Sequence, residues 1–389
     1  MKRVAILGST GSIGKQALEV LSELQDFSCV ALSIGGGSVS QLNDQLLSMH
    51  KAGRSPLYVG VSDMEAAEHV HLFDDTRLIA GSDAASIIAK LSEVDIVING
   101  ISGFLGLFPL LSATNAGKTV ALANKESIVC GHMLLKDALK KNLIIPVDSE
   151  QSAIFQCLTA GQKGDVSRLI LTASGGAFRD LPDEALFNVT VSDALSHPNW
   201  SMGKRITIDS ASMFNKGLEI LEAAYLFGTD NVEAVLHRQS IVHSMVEFDD
   251  GSIIAQLAKP DMKLAIQYAI TYPRRLKGLT PKLDLTATVP LTFEPIDTKR
   301  YRAIPLAYDA LSEGNVLPIA YNAADEEAVL AFLSEAIRFT DIAGVVETAM
   351  NDILKACGGI IGGVEDIIEI DEQARLAARL AISHISKKI

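Results

Sequence analysis

The chain begins with a short apolar run, Val4-Ala5-Ile6-Leu7, that passes straight into Gly8-Ser9-Thr10-Gly11-Ser12-Ile13-Gly14 and then into a helical pattern over 13–25. Glycines between a strand and a helix permit a tight turn. They also let an anionic group approach the helix N-terminus, where backbone N–H groups and the helix dipole favour negative charge. The spacing is G-x-x-G-x-x-G, one glycine away from the G-x-G-x-x-G of dinucleotide-binding turns. Its context, strand before and helix after, favours a dinucleotide; the alternative is an ordinary strand-to-helix turn. Further β-rich runs at 29–34, 57–61, 96–99, 119–123 and 143–147 alternate with helical patterns such as 84–91, 105–116 and 131–142. That alternation predicts an α/β fold with a Rossmann-type doubly wound parallel sheet.

After about residue 150 the texture changes. Polar, glycine-bearing stretches (172–178, 196–205) precede a helical pattern at 212–227. Strand candidates follow at 234–236, 244–248 and 252–256, the last two joined by Asp249-Asp250-Gly251, a hairpin signal. This predicts a central α+β catalytic domain. Prolines 273, 281, 290 and 295 mark a connector, and the remainder reads as helices at 304–313, 323–334, 338–357 and 370–386. The expected domains are 1–147 for the dinucleotide, 148–272 for catalysis with a lid near 196–205, a connector at 273–298, and a C-terminal helical domain at 299–389.

Composition narrows the function classes. A formal net charge of -13 over 389 residues argues against nucleic-acid binding, which needs a basic footprint. No apolar run of 18 residues occurs, so no membrane span is expected. The N-terminus reads as a strand rather than a signal peptide. The four cysteines (29, 130, 157, 357) are scattered, as expected of reduced thiols rather than disulfides or a zinc site.

The acidic tripeptide Asp148-Ser149-Glu150 follows the strand at 143–147. Ligands in α/β proteins bind outside the carboxyl ends of strands, and two carboxylates there can both reach a hard divalent cation. The alternative is a helix N-cap with an acidic first turn. Asn124-Lys125-Glu126 ends the preceding strand: Lys125 could contact cofactor or substrate, and Asn124 could equally be a cap. The second strand ends in Gly35-Gly36-Gly37-Ser38 with no carboxylate, so NADP is permitted. Without Arg or Lys in that loop, a 2′-phosphate would rest on backbone N–H groups and Ser38. The loop His197-Pro198-Asn199-Trp200-Ser201-Met202-Gly203 carries the only tryptophan and reads as a lid, with His197 a phosphate donor or an acid/base. In the 212–227 helix, Ser212, Asn215, Glu219 and Glu222 share a face. Ser210, Asn215 and Lys216 gather at its start, where an anion is favoured, with Ser174 a further phosphate-type donor.

In this order the motifs resemble the 1-deoxy-D-xylulose 5-phosphate reductoisomerase family, through Asn215-Lys216-Gly217-Leu218-Glu219, Pro260-Asp261-Met262 and the helical tail. The resemblance implies a metal-dependent, NADPH-linked oxidoreductase. It would rearrange 1-deoxy-D-xylulose 5-phosphate and reduce the product to 2-C-methyl-D-erythritol 4-phosphate, toward isoprenoid precursors. It implies Mg²⁺, Mn²⁺ or Co²⁺ on Asp148, Glu150 and Glu219. It further implies substrate contacts from Lys125, Ser149, Glu150, Ser174, His197, Trp200, Met202, Ser210, Asn215, Lys216 and Glu219, with Asp148, Glu150, Glu219, Lys125 and His197 catalytic. The cofactor would lie along Gly8, Thr10, Gly11, Ser12, Ile13, the 35–38 loop, Asn124, Lys125, Glu126, Gly203 and Met262. A homodimer is implied, in the bacterial cytoplasm or as a mature plastid-type form. The family often carries a basic residue or Asn where this chain has Gly36-Gly37-Ser38. Rival readings are another NADP-linked dehydrogenase of a small phosphorylated or carboxylated substrate, and a non-enzymatic dinucleotide sensor.

Overall fold

A computed structural model of the chain describes residues 1–195, 203–287, 290–356 and 361–386. Packing divides them into two units. The first comprises Met1–Ser127, Leu135–Ser152 and Asp261–Pro281; the second comprises Ile128–Leu134, Ala153–Pro260 and Lys282–Ile389.

The first unit is built on seven parallel strands: β1 (Lys2–Leu7), β2 (Phe27–Ile34), β3 (Tyr58–Val61), β4 (Arg77–Ala80), β5 (Ile96–Asn99), β6 (Thr119–Leu122) and β7 (Ile144–Pro146). Their order is β4-β3-β2-β1-β5-β6-β7. The chain winds one way from β1 through β4, then returns to the far side of β1 for β5 to β7. The switch point lies between β1 and β5, where Gly100 N–H bonds to Leu7 O at 2.9 Å. Val4, Ala5, Ile6 and Leu7 are all 0% exposed, as a strand covered on both faces must be. Each of the three larger side chains contributes about 1.5–3 kcal/mol by that burial. The expected α/β fold is therefore present. The edge strand β4 lacks an expectation from sequence because its Arg77 and Leu78 stay exposed, leaving no buried run to read.

The helices α1 (Ser12–Glu23), α2 (Val39–Lys51), α3 (Met64–Ala67), α4 (Ala84–Ala89), α5 (Leu107–Asn115), α6 (Lys125–Lys140) and α7 (Ser149–Cys157) follow their strands. Helix α6 starts six residues earlier than the sequence predicted, because Asn124 caps it: its Oδ1 accepts from Ser127 N at 2.8 Å.

The second unit holds a five-stranded mixed sheet of order β11-β10-β8-β9-β12. Its strands are β8 (Val166–Ala173), β9 (Val232–Leu236), β10 (Val242–Phe248), β11 (Ile253–Leu257) and β12 (Glu294–Pro295). The hairpin at Asp249-Asp250-Gly251 joins β10 to β11 as expected, with Gly251 at φ 82. Between strands lie α8 (Val191–Ala194), α9 (Lys204–Ser212) and α10 (Phe214–Phe227). The single helix expected over 212–227 is in fact preceded by α9 and separated from it by Met213 at φ 67, a left-handed residue that ends one helix and turns the chain into the next. The C-terminal part is helical, as expected: α12 (Ala303–Glu313), α13 (Leu317–Leu333), α14 (Ile342–Ala356) and α15 (Val364–Ser386). Part of the expected connector is a strand, since β12 pairs antiparallel with β9 at the sheet edge, where Pro295 is tolerated.

Helix α11 (Met262–Thr271) packs on α1 of the first unit rather than with the residues before it in sequence. Lys263 Nζ meets Glu19 at 3.1 Å and Arg274 meets Asp26 at 3.7 Å. Grouping by packing thus cuts across the linear boundaries drawn at 147 and 272.

Candidate active site

The glycine turn is fixed by backbone contacts. Gly8 N and Ser9 N both donate to Ser33 O, at 2.8 and 3.0 Å, tying the turn to the end of β2. Gly8 has φ 81, and a Cβ on it would lie 2.8 Å from Gly100 O. A Cβ on Gly14 would lie 2.3 Å from Gly8 O, so only glycine lets α1 come this close to the turn. Gly11 and Ser12 are exposed at the tip, with Thr10 and Ile13 half-buried beside them. Gly11 occupies the N-cap of α1 without a capping side chain, which leaves backbone donors at the helix start facing outward. Ser9 is buried, bonded through Oγ to Gln45 Oε1 at 2.9 Å, a partner no spacing in the sequence indicates.

The loop Gly35-Gly36-Gly37-Ser38 leads into α2, with Ser38 at the N-cap. Asp63 stands against it: a Cβ on Gly36 would lie 2.7 Å from Asp63 Cβ. Asp63 itself caps α3 through Ala66 N at 2.8 Å. Reading only the loop itself misses this carboxylate, which comes from the next strand. Met262 is the half-buried first residue of α11, capped by Asp261 through Lys263 N at 2.9 Å.

The ends of β6 and β7 are neighbours, and this brings two predicted motifs together. Lys125 Nζ lies 2.7 Å from Asp148 Oδ2, with the two side chains 7% and 10% exposed. Asp148 Oδ1 also accepts from Glu150 N at 3.1 Å, so Asp148 is a helix cap and an ion-pair partner at once. Ser149 Oγ donates to the Glu150 carboxylate. Asn124 and Glu126 grip Gly103: Asn124 Nδ2 donates to Gly103 O at 2.9 Å, and Gly103 N donates to Glu126 Oε1 at 3.1 Å. Both were expected at the cofactor; here they fix the loop after β5.

In the second unit, Ser174 follows β8 directly and starts a loop with Gly175 at φ 86 and Gly176 at φ 68. A Cβ on Gly176 would lie 2.5 Å from Ser210 O, so the loop rests on the last turn of α9. Arg179 Nη1 braces it through Ser174 O at 2.8 Å. Ser210 thus belongs to α9 and not to the start of the next helix, a correction that follows from the break at Met213. Asn215 and Lys216 do lie in the first turn of α10. Asn215 Nδ2 donates to Glu219 Oε1 at 2.5 Å, and Lys216 Nζ pairs with the other Glu219 oxygen. Glu219 is 1% exposed and Lys216 4%. Gly203 is the N-cap of α9. The lid residues His197, Trp200 and Met202 lie outside the described residues.

Oxygen-only side chains set among ammonium groups suit a hard cation and an anionic substrate. Asp148 and Glu219 are nearly buried carboxylates, and each already has a lysine as counter-charge. Among the described residues the thiols are placed differently: Cys130 and Cys157 are buried, and burial pushes the Cys29 thiol up to about 12.

Comparison with known proteins agrees over nearly the whole chain. Residues 4–132 match the family model of 1-deoxy-D-xylulose 5-phosphate reductoisomerase, and 144–227 and 257–377 match two models of its C-terminal domain. The 1-deoxy-D-xylulose 5-phosphate reductoisomerase of Arthrobacter sp. (strain FB24) is 44% identical, covering 99% of both chains. That of Halothermothrix orenii is also 44% identical, covering 97% of this chain and 98% of its own. A crystal structure of DOX-P reductoisomerase with NADPH, fosmidomycin and magnesium superposes with a TM-score of 0.90 at 36% identity, covering 98% of each chain. The Zymomonas mobilis enzyme with NADPH gives 0.88 at 36%, covering 98% of this chain and 99% of its own.

Proposed function

This chain belongs to the 1-deoxy-D-xylulose 5-phosphate reductoisomerase family, and from that membership we infer its reaction and the residues that carry it. It is an oxidoreductase that converts 1-deoxy-D-xylulose 5-phosphate to 2-C-methyl-D-erythritol 4-phosphate by intramolecular rearrangement and hydride reduction, in non-mevalonate isoprenoid precursor synthesis. Its cofactors are NADPH and a divalent cation, as in the related crystal structures.

Asp148, Glu150 and Glu219 are the proposed metal ligands. They are the candidate metal-ligating group among the described residues, and their oxygen donors match what Mg²⁺ or Mn²⁺ takes. The cation, when bound, supplies a Lewis acid for the substrate ketone, and NADPH supplies the hydride. The protein's own part is positioning. Lys125 gives Asp148 a counter-charge and fixes the direction of its carboxylate. Asn215 and Lys216 orient Glu219, and Ser174, Ser210, Asn215 and Lys216 offer hydroxyl, amide and ammonium donors to the substrate phosphate. Remote binding of that phosphate lowers the barrier at the reacting carbons. Ser149 and Lys125 are the proposed contacts to the sugar hydroxyls, and His197, Trp200 and Met202 are assigned to the substrate by family membership alone. The turn at Gly8, Thr10, Gly11, Ser12 and Ile13 takes the pyrophosphate.

The observation that carries this assignment is the buried Glu219 carboxylate, gripped from both sides in the first turns of α10. Glu219→Gln is expected to lower turnover at least about 100-fold and raise the metal concentration needed. Steady-state NADPH oxidation against Mg²⁺ concentration measures both; unchanged metal dependence would remove Glu219 from the ligand set.

We further propose a homodimer in the bacterial cytoplasm. The outer strand β11 supports the dimer, for it exposes Ile253, Ile254 and Leu257 along a sheet edge with no further strand among the described residues, which a second copy can cover.

A further inference from the structure

Helix α10 begins in an unusual way. Its N-cap is the left-handed Met213, with no capping side chain, so little in its own sequence fixes the first turn. That turn nevertheless carries Lys216 and leads into Glu219. What fills the space beside it is Tyr321, from the second turn of α13 and 0% exposed. A Cβ on Gly217 would lie 1.9 Å from the Tyr321 hydroxyl oxygen, 2.9 Å from its Cζ and 3.1 Å from Ala307 Cβ. The phenol occupies the volume that any other residue at 217 would need.

Tyr321 is itself held on two sides. Its hydroxyl donates to Ala303 O at 3.1 Å, at the start of α12. Its ring packs on Phe214 of α10 at 5.2 Å between centroids. Ala307, also on α12, lines the same space over Gly217. Burial pushes the phenol well above its usual range, so it stays a neutral donor throughout the working pH. Because interiors are close-packed and do not deform smoothly, such a wedge determines where the backbone at 217 can sit.

We propose that Tyr321 is a positioning residue for the metal site: its phenol, seated on the bare Cα of Gly217, sets the first turn of α10 and so the aim of Glu219 and Lys216. The proposal rests on the reading of Glu219 as a ligand. It explains why glycine stands between two site residues of a helix, where it costs about 1 kcal/mol relative to alanine.

The test uses the full-length protein without substrate or cofactor. Mn²⁺ binding is followed by loss of the free-ion EPR signal, alongside Tm, for wild type, Tyr321→Leu, Gly217→Ala, the double variant and Glu219→Gln. Tyr321→Leu and Gly217→Ala are each expected to weaken Mn²⁺ about 10- to 100-fold. In the double variant the alanine methyl enters space the phenol has left, and affinity should return to within about threefold of wild type, the signature of coupled neighbours. Should Gly217→Ala not fold, Tyr321→Leu decides alone. A lowered Tm with wild-type Mn²⁺ affinity in Tyr321→Leu, or losses that add in the double variant, would overturn the proposal while leaving Glu219 a ligand. Wild-type affinity in Glu219→Gln would overturn the ligand reading itself, and this proposal with it.

Discussion

Asp325 is 0% exposed, and neither of its carboxylate oxygens has a hydrogen bond among the described residues. Its nearest cation is Arg205, 3.6 Å away, which also meets Glu326 at 2.8 Å. Burial and the neighbouring Asp209 push the Asp325 carboxyl well above the usual range. An acid raised in the folded state stabilises it most below the unfolded pKa, and that contribution is lost as pH rises toward the folded value. Asp325→Asn should therefore raise Tm by about 2–4 °C at pH 8, a gain that fades toward pH 4. Thermal unfolding across that range measures it; a constant difference would mean the carboxyl is not the cause. Residues like this resist sequence reading, because nothing about Asp325 in a helical run announces its burial beside Asp209. The same holds for Lys125: its place at a strand end was legible, but its partner Asp148, 23 residues on, was not. Asp148 was read as either a cap or a ligand candidate; its capping is now visible, with Oδ1 taking the helix N–H while Oδ2 faces Lys125.

At the scale of elements, the glycine turn was legible because its constraint is local. Strand, turn and helix follow within two dozen residues, and Gly11 and Gly14 meet the backbone of the turn itself, although Gly8 also meets Gly100. Gly14→Ala should cost about 1–3 kcal/mol of stability through its clash with Gly8 O and Ser9 Cα, which are main-chain atoms that cannot rotate away. It should also weaken NADPH, since the turn proposed to take its pyrophosphate must shift. Urea unfolding and NADPH fluorescence titration read the two effects, and an unperturbed variant would mean the turn is slacker than these contacts require. The boundary between α9 and α10 was not legible. Met213 is an ordinary helix former, and its left-handed conformation is imposed by what the two helices pack against. Reading one helix there moved Ser210 to the wrong end of it. β8 was missed: no strand was expected at 166–173, and its last residues were taken for part of a polar loop, although it is the strand that delivers Ser174.

For the whole molecule, the exposed edge at β11 bears on assembly. Ile253 is 48% exposed and Ile254 39%, on a strand with one unpaired side. Sedimentation of the wild type should show a dimer, and an Ile253→Lys/Ile254→Lys variant should shift toward monomer with its fold intact; a dimer of unchanged affinity would place the interface elsewhere. Fold class, the dinucleotide turn, the acidic strand end and the helical tail followed from the sequence alone. Each is written in periodicity, or in residues a few positions apart, and hydrophobic patterning survives whatever the distant chain does. Packing alone decided the rest. It drew 261–281 onto α1, paired Lys125 with Asp148, broke the chain at Met213 and set Tyr321 on Gly217. Such contacts join residues up to hundreds of positions apart. They depend on which surfaces fit when the core closes, and no local pattern in the chain encodes that fit.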